Sequence, residues 1–599
     1  MPPSKPELTG TTGAVASTHW LASAAGMRML ADGGNAFDAA AAAGFVLQVV
    51  EPHFNGLGGD LSLVAHQAGQ DDVRALCAQG PMPRAISIGT FADLGLRSIP
   101  GSGLLPACVP GAFGGWMRLL AEFGTKRLAE VLEPAIGYAD KGFPLLPETA
   151  RAIDVLAPLF RAEWHGSEQV YLKGGNAPAA GSRFRNPALA NTYQRLIKAA
   201  ESASGEREAQ FRAAHDAFYK GFVAAEISEF LESSPMLDAT GRRHRGLLTA
   251  DDLADWTPSV ETAPSHSYGP YQVFKPGPWS QGPVFLQQLA LLDGFDLARM
   301  GQGSAEYVHT VIECTKLAMA DREAWYGDPD FSEVPLAGLL DAEYSRQRRA
   351  LVGARAETTL RPGSPAGRTS FLPDLPVPDD PDADSEWMSQ LQNGLPTILQ
   401  ATKAKTDTVT VTAVDRHGNM VAATPSGGWL KSSPAIGSLG FPLGTRGQCM
   451  FLTEGHPNSL GPGKRPRTTL SPSVVLRDGR PFVAFGTPGG DRQDQWTLQF
   501  FLNVADFGLD FQSATETTAF HTDQVPASFT PHAHRPGVLV AEQTCPPEVV
   551  AELRARGHDV DLVPAYSLGR VCASGFTDDH EFVRAAASPR GRHAYAVAE

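Results

Sequence analysis

Cysteine is scarce in this chain of 599 residues: Cys77, Cys108, Cys314, Cys449, Cys545 and Cys572 stand far apart, with no CxxC pair and no finger spacing. That excludes a metal-finger module, and the thiols are expected to be free and mostly buried. Basic charge is in deficit. Fifty Lys and Arg against 65 Asp and Glu leave a net charge of -15, the wrong sign for a nucleic-acid or anionic-membrane surface. Neither nucleic acid nor membrane is expected as a partner. Long apolar runs are missing too: the most apolar stretch, Ala36 to Val50, contains Asp38 and is too short to span a bilayer. The opening "MPPSKPELTGTTGAVASTHW" has no basic segment followed by an apolar run, so no secretory signal is read there and a cytoplasmic protein is expected. HExxH, GxSxG, a Walker loop and a helix-opening GxGxxG are all absent. The one histidine pair, "HAH" at His532 and His534, sits in a Pro-flanked loop where exposure is more common than ligation. No metal and no cofactor are expected.

What remains is ordinary globular composition, 42% hydrophobic and 19% charged, which favours small-molecule chemistry. Ala14 to Val50 reads as helices punctuated by "DGGN", followed by the Gly-rich turn "EPHFNGLGGD" and the strand "LSLVAHQ". Helical spacing runs through Arg118 to Ala157, through "EAQFRAAHDAFYKGFVAAEISEFL", and from Val284 through "AEYVHTVIECTKLAMADREAWYG". Strands are expected at "YGPYQVFKPGPW" and in the later "SPSVVLRDGRPFVAF", where "RDG" signals a hairpin. "QDQWTLQFFLNVADFG" and "PPEVVAELRARGHDV" supply helices to cover a sheet. The expected class is α/β (α+β), sheet layers flanked by helices. Residues 372–407, rich in Pro, Asp, Ser and Gln, read as a mobile segment.

Directly behind that segment, "TVTVTAV" from Thr408 to Val414 alternates hydroxyl and small apolar residues, the period of a strand. A threonine hydroxyl is a poor nucleophile unless a base lies beside it. Making it the first residue of a chain supplies one, because an α-amine titrates near 8. Such an enzyme must be made as a precursor and cut at an accessible strand start. Composition alone still favours an ordinary threonine-rich strand. "GTPGGD", Gly486 to Asp491, follows the strand "PFVAF" and offers consecutive N–H groups for an oxyanion, or simply a tight turn. "KRPRTTLSPS" places Thr468, Thr469 and Ser471 beside prolines, which turn chemistry also explains.

A series of motifs in order along nearly the whole chain resembles the γ-glutamyltransferase family of N-terminal-nucleophile hydrolases. It comprises "GGNAFDAAAA", "VEPHFNGLGGD", "CVPGAFGGW", "GLLTADDLADW", "ADREAWYGDPDF", "DTVTVTAVDRHGNMVAAT", "RPRTTLSPSVVLRDG" and "GTPGGD". The resemblance implies a four-layer αββα sandwich made by self-cleavage between Asp407 and Thr408, giving a large chain 1–407 and a small chain 408–599. It implies Thr408 as nucleophile, its freed amine as base, Gly489 and Gly490 as oxyanion donors, Ser426 as the hydroxyl orienting the nucleophile, and Thr468 and Thr469 beside the substrate. The partners would be a small-molecule amide, a water or amine acceptor, and the two chains of one precursor.

The sequence departs from the family pattern where a γ-glutamyl group would be held. Ile88 stands for the arginine that binds the α-carboxylate, with Arg84 nearby; Met450 or Phe451 stands for the acid that binds the α-amine; Gly428 replaces an asparagine. Arg446 and Gln448 in "FPLGTRGQCMF" are the substitute substrate-binding candidates. The expectation is a self-processing amidohydrolase or acyltransferase, glutathione hydrolase-like but poor on γ-glutamyl compounds. Another acyl amide, such as an oxamate or a cephalosporin side chain, is the alternative, and an uncleaved homologue that only binds is a third.

Overall fold

The computed structural model describes residues 4–203, 205–373 and 408–599. Two seven-stranded sheets, antiparallel at every pairing, lie face to face. The first runs in the order Tyr595–Ala598, Gly13–Ser17, Val411–Asp415, Met420–Ser426, Asp60–His66, Val73–Ala78, Ser259–Thr262. The second runs Leu8–Gly10, Val583–Ala587, Cys572–Phe576, Arg480–Gly486, Ser473–Arg477, Tyr271–Phe274, Ser265–Tyr268. Helices Ala36–Val50 and Ala112–Phe123 cover the outside of the first, and Gly282–Leu292, Ala305–Trp325 and Gln493–Ala505 cover the second. The architecture is the αββα sandwich.

The alternation of the central strand decides which face meets which layer. Val409, Val411 and Ala413 enter the helix-side core with Val421 and Ala423. Val414, Met420 and Ala422 enter the cluster between the sheets. The threonines share that inner face: the Thr412 hydroxyl lies 2.9 Å from the Ser574 hydroxyl of the opposite sheet. A strand buried on both sides needs small side chains inward where sheets close to about 10 Å, and alanine and threonine fill that need.

Three sequence expectations change. Ala14 to Ser17, read as helix, is strand, because its small residues pair with Val411–Asp415 between two layers. Regular pairing begins at Val411 rather than Thr408; Pro425, opposite Val409, has no N–H to continue the ladder, and Thr408 instead makes an isolated bridge to Ser426. The end of "PPEVVAELRARGHDV" is not helix: after Pro547–Ala555 the chain forms Asp559–Val563, parallel to Val538–Glu542 in a separate three-stranded sheet. The "RDG" hairpin forms as expected, with Asp478 and Gly479 both at positive φ. All six cysteines are free and buried. Asp407 and positions 374–407 of the expected mobile segment lie outside the described residues, and no helix among those described is long and apolar enough to cross a membrane.

Candidate active site

Thr408 is completely buried, and its Oγ1 lies 3.1 Å from Ser426 Oγ. Two residues further along each strand, Thr410 and Thr424 face Gly486 of the opposite sheet, close enough that a Cβ there would touch both. Gly486 ends its strand and opens "GTPGGD", so the nest follows at the same end of the sandwich as Thr408 and Ser426. Gly489 has φ 137° and Gly490 φ 57°, conformations that favour glycine. A Cβ on Gly489 would also overlap the Trp496 ring. Neither glycine N–H donates to an acceptor among the described residues, which leaves two donors at a turn that leads into the helix Gln493–Ala505.

A buried ionic network fixes the nest from behind. Asp491 accepts from Ser528 N at 2.9 Å, Ser528 Oγ at 2.6 Å and Arg322 Nη1 at 2.6 Å. Burial alone would raise this carboxyl, but the Arg322 charge and the Ser528 bonds outweigh it and hold it below the ordinary range. Arg322 also meets Gln281 Oε1 at 2.8 Å, and Gln281 in turn donates to the Gly490 carbonyl at 3.3 Å. Glu323, beside Arg322, receives both Nη2 bonds of Arg467 at 3.0 and 3.1 Å. Asp328 receives Arg465. The acids of "ADREAWYGDPDF" therefore hold the arginines of "KRPRTT", and Thr468 and Thr469 follow immediately, both buried. Ser471 donates to Asp494 at 2.6 Å, which also pairs with buried Lys275 at 2.9 Å. None of Arg322, Asp491, Glu323, Asp494 or Asp60 was singled out from sequence; the one signal available was the complementary charge of those two motifs.

The substitute anchors fare differently. Arg446 is 2% exposed and grips Asp60 through Nε at 2.7 Å and Nη2 at 3.0 Å, with its guanidinium over the rings of Trp429 and Phe529. Phe529 approaches the space beside Gly490, which places Arg446 near the nest, but two of its donors hold Asp60. Gln448 spends its amide on Gly101 O, Thr445 O and Thr445 Oγ1, each at 3.1 Å, a role in loop structure. Arg84 points outward and pairs with Asp255 at 2.8 Å. Met450 is buried in an apolar cluster with Met82, Ile86 and Phe91, against which Ile88 packs. Phe451 meets His456 edge-on and His532 at a tilt, and Gly428 turns at φ 61°. His532 is buried rather than exposed, its Nδ1 2.9 Å from Ala527 O. Among the described residues one group has metal-ligand spacing, His309, Glu313 and His558, remote in the fold from the nest. There Lys316 already holds Glu313 at 2.7 Å and the two imidazoles meet each other at 2.8 Å.

A model of the family described as gamma-glutamyltranspeptidase matches residues 22–598. The acylase ACY 1 proenzyme of Pseudomonas sp. (strain SE83) is 31% identical over 97% of this chain and 93% of its own length. The glutathione hydrolase-like YwrD proenzyme of Bacillus subtilis (strain 168) is 29% identical over 97% and 98%. Among solved structures, LmbA2991HD superposes with a TM-score of 0.92 at 48% identity, each chain covered in full. The cephalosporin acylase from Bacillus halodurans superposes at 0.83 with 26% identity, over 100% of this chain and 98% of that one.

Two measurements check the electrostatics around the site. Arg446→Ala leaves Asp60 buried without its bidentate partner, which should cost about 3–5 kcal/mol and show as a lowered denaturation midpoint, while the paired change Arg446→Met with Asp60→Asn should recover most of the loss. Glu51 is buried beside Thr18, whose hydroxyl donates to it at 2.6 Å, and Thr18 N bonds Thr410 O. Burial raises the Glu51 carboxyl to about 7, against the smaller opposing effects of the Thr18 bond and the Arg570 charge. An unfolded glutamate titrates near 4.3, so the native state binds more protons in between. The stability from this group is complete below about pH 4.3 and is lost as pH rises through about 7. The Tm of wild type minus that of Glu51→Gln should therefore fall across this window; a constant difference would mean Glu51 is ionised in the fold.

Proposed function

The chain belongs to the gamma-glutamyltranspeptidase family of hydrolases and acyltransferases, and from that premise we propose that it is a self-processing amidohydrolase whose nucleophile is Thr408. The observation that carries this is the Thr408–Ser426 hydroxyl contact at the end of the sandwich where the glycine nest opens. In the joined chain the Thr408 hydroxyl attacks the carbonyl that precedes it, and cleavage at Asp407–Thr408 frees the α-amine. That amine then takes the hydroxyl proton when the amide substrate is attacked. Ser426 orients the hydroxyl, and the N–H groups of Gly489 and Gly490 receive the oxyanion. The amine half leaves, and water or an amine resolves the acyl-enzyme. Relatives named as proenzymes support the processing step.

For the acyl group, we infer an amide other than a γ-glutamyl one. The positions where charged anchors would stand hold Ile88 and Met450, both at an apolar cluster, and Phe451, edge-on to His456, and Arg84 is turned away. Arg446 is committed through two donors to Asp60 and is not counted as a carboxylate anchor. A relative named an acylase and a superposable cephalosporin acylase favour a non-γ-glutamyl acyl amide. Thr468 and Thr469 are the polar groups proposed to meet it.

Purified protein should run as two fragments, the smaller beginning at Thr408 by N-terminal sequencing, and Thr408→Ala should remain one polypeptide. A single-chain wild type, or a fragment starting elsewhere, replaces this reading with that of a binding homologue. On substrates, loss of one charge anchor costs about 2–5 kcal/mol and each 1.4 kcal/mol is tenfold, so kcat/KM for γ-glutamyl-p-nitroanilide should lie roughly 30- to 3,000-fold below that of an efficient enzyme. Glutaryl-p-nitroanilide should be the better of the two. A γ-glutamyl value above about 10⁴ M⁻¹s⁻¹ restores the ordinary family activity.

A further inference from the structure

A Cβ on Gly489 would run into the six-membered ring of Trp496, and one on Gly569 would touch the same indole. Trp496 is also part of the wall of a cavity of about 640 Å³. A second path reaches that cavity from Ser426. Two glycines on, Trp429 donates its indole N–H to Phe54 O at 2.9 Å and Leu430 N bonds Pro52 O at 3.2 Å, which sets Phe54, Leu430 and Lys431 into the wall. The cavity thus adjoins the nest on the Gly489 side. Phe529 and the Arg446 pair lie on the Gly490 side.

The charge of this wall is opposite to that of the chain. Six cationic side chains line it, Arg151, Lys431, Arg492, Arg535, Arg570 and Arg590, against three acids, Glu148, Asp523 and Asp561, in a protein whose net charge is -15. Some of these cations are already matched. Arg590 is held by Glu542 at 2.6 Å, Arg492 by Asp523 at 2.8 Å and Arg535 by Asp561 at 3.1 Å. Arg570 is tied by its backbone to the Thr487 hydroxyl of the nest loop at 2.9 Å, and its guanidinium meets Glu148 only at 3.5 Å. Arg151 makes no ion pair among the described residues. With Lys431 left out of the count, Arg151 and Arg570 against Glu148 leave an excess that suits one carboxylate, not a polyphosphate. Apolar wall residues such as Phe54 and Leu568 provide for a compact body attached to it.

We propose that this cavity seats the amine half of the substrate, and that this half carries a carboxylate held by Arg151 and Arg570. This rests on the threonyl-acyl reading of the nest. At a tetrahedral centre bound to Gly489 and Gly490 the acyl chain and the departing amine diverge; Gln281 bonds both the Thr468 carbonyl and the Gly490 carbonyl, so the acyl group that Thr468 is proposed to meet takes the Gly490 side and the amine the roomy Trp496 side. A carboxylate matches the planar guanidinium fork, and in acyl transfer the same seat would select an anionic acceptor.

Binding of the free amine half tests this without any turnover. Para-aminobenzoate and its neutral amide, para-aminobenzamide, are titrated calorimetrically into the processed enzyme. The benzoate should bind at least about tenfold more tightly, the scale of a charge-assisted hydrogen bond. Arg151→Glu, a change at an exposed side chain with no ion pair among the described residues, should weaken the benzoate roughly threefold or more and leave the benzamide within about twofold; Arg570→Gln should do the same. Equal affinities, or no measurable benzoate binding, overturn the anionic class. A benzoate preference that survives both substitutions overturns the cavity as its seat. Failure of the threonyl-acyl reading would register separately, as no acyl mass on the fragment starting at Thr408.

Discussion

The Arg322 guanidinium is the interaction on which the geometry of the candidate site depends. From the helix Ala305–Trp325 it reaches Asp491 of the nest, Gln281 behind it, and Glu323, which in turn fixes Arg467 just ahead of Thr468. Arg322, Glu323 and Arg467 are all fully buried. Such a group of charges is weak evidence for stability, because desolvation consumes most of its Coulomb energy, yet removing one member leaves an uncompensated buried charge at a cost of about 3–5 kcal/mol. What the network contributes is position. It ties residues before and after the proposed cut into one rigid body, so that a break in the backbone at Thr408 need not loosen the nest.

Space is the second constraint. A Cβ at Gly59 would run into the Ser426 carbonyl, and one at Gly489 into the Trp496 ring. At both places backbone approaches a neighbour more closely than any side chain would allow. The first brings Asp60 beside Ser426 and so lets Arg446 reach it; the second lays the nest against the wall of the cavity. Arg446 was expected as a substrate anchor, but the close approach of Gly59 and Gly427 makes Asp60 its partner first. A residue of the right chemistry near a site is not thereby aimed at the substrate.

How far the sequence revealed this follows from the physics of each part. The period-two pattern of Thr408 to Val414 disclosed a strand with a hydroxyl face, and that face does meet the opposite sheet. Glycines at 489 and 490 were legible because positive φ has few other occupants. The strand Gly13–Ser17 was not, since "GAVAS" has helix-forming composition and only burial between two layers makes it extend. Nor was the end of the ladder foreseen, although Pro425 was visible, because its effect depends on which residue lies opposite. The Arg322 network and the Arg446–Asp60 pair join residues distant in sequence, and a single chain carries no signal for such pairs beyond complementary charge.

The cavity's positive wall in an acidic chain is then informative in a way that a single arginine is not. A net charge of -15 repels small anions at long range, an effect that salt screens over about 8–10 Å. On the proposed reading an anionic ligand gains affinity only inside the cavity, where Arg570 is largely buried and Arg151 stands at the more exposed part of the wall. The exterior field would slow its arrival without weakening the seated complex, so raising ionic strength should act in opposite directions on association and on retention. This separates recognition within a wall from steering by the whole surface. On the proposed reading, a chain whose acyl pocket lacks charged anchors is still built for a charged substrate, with the charge placed on the other side of the scissile bond.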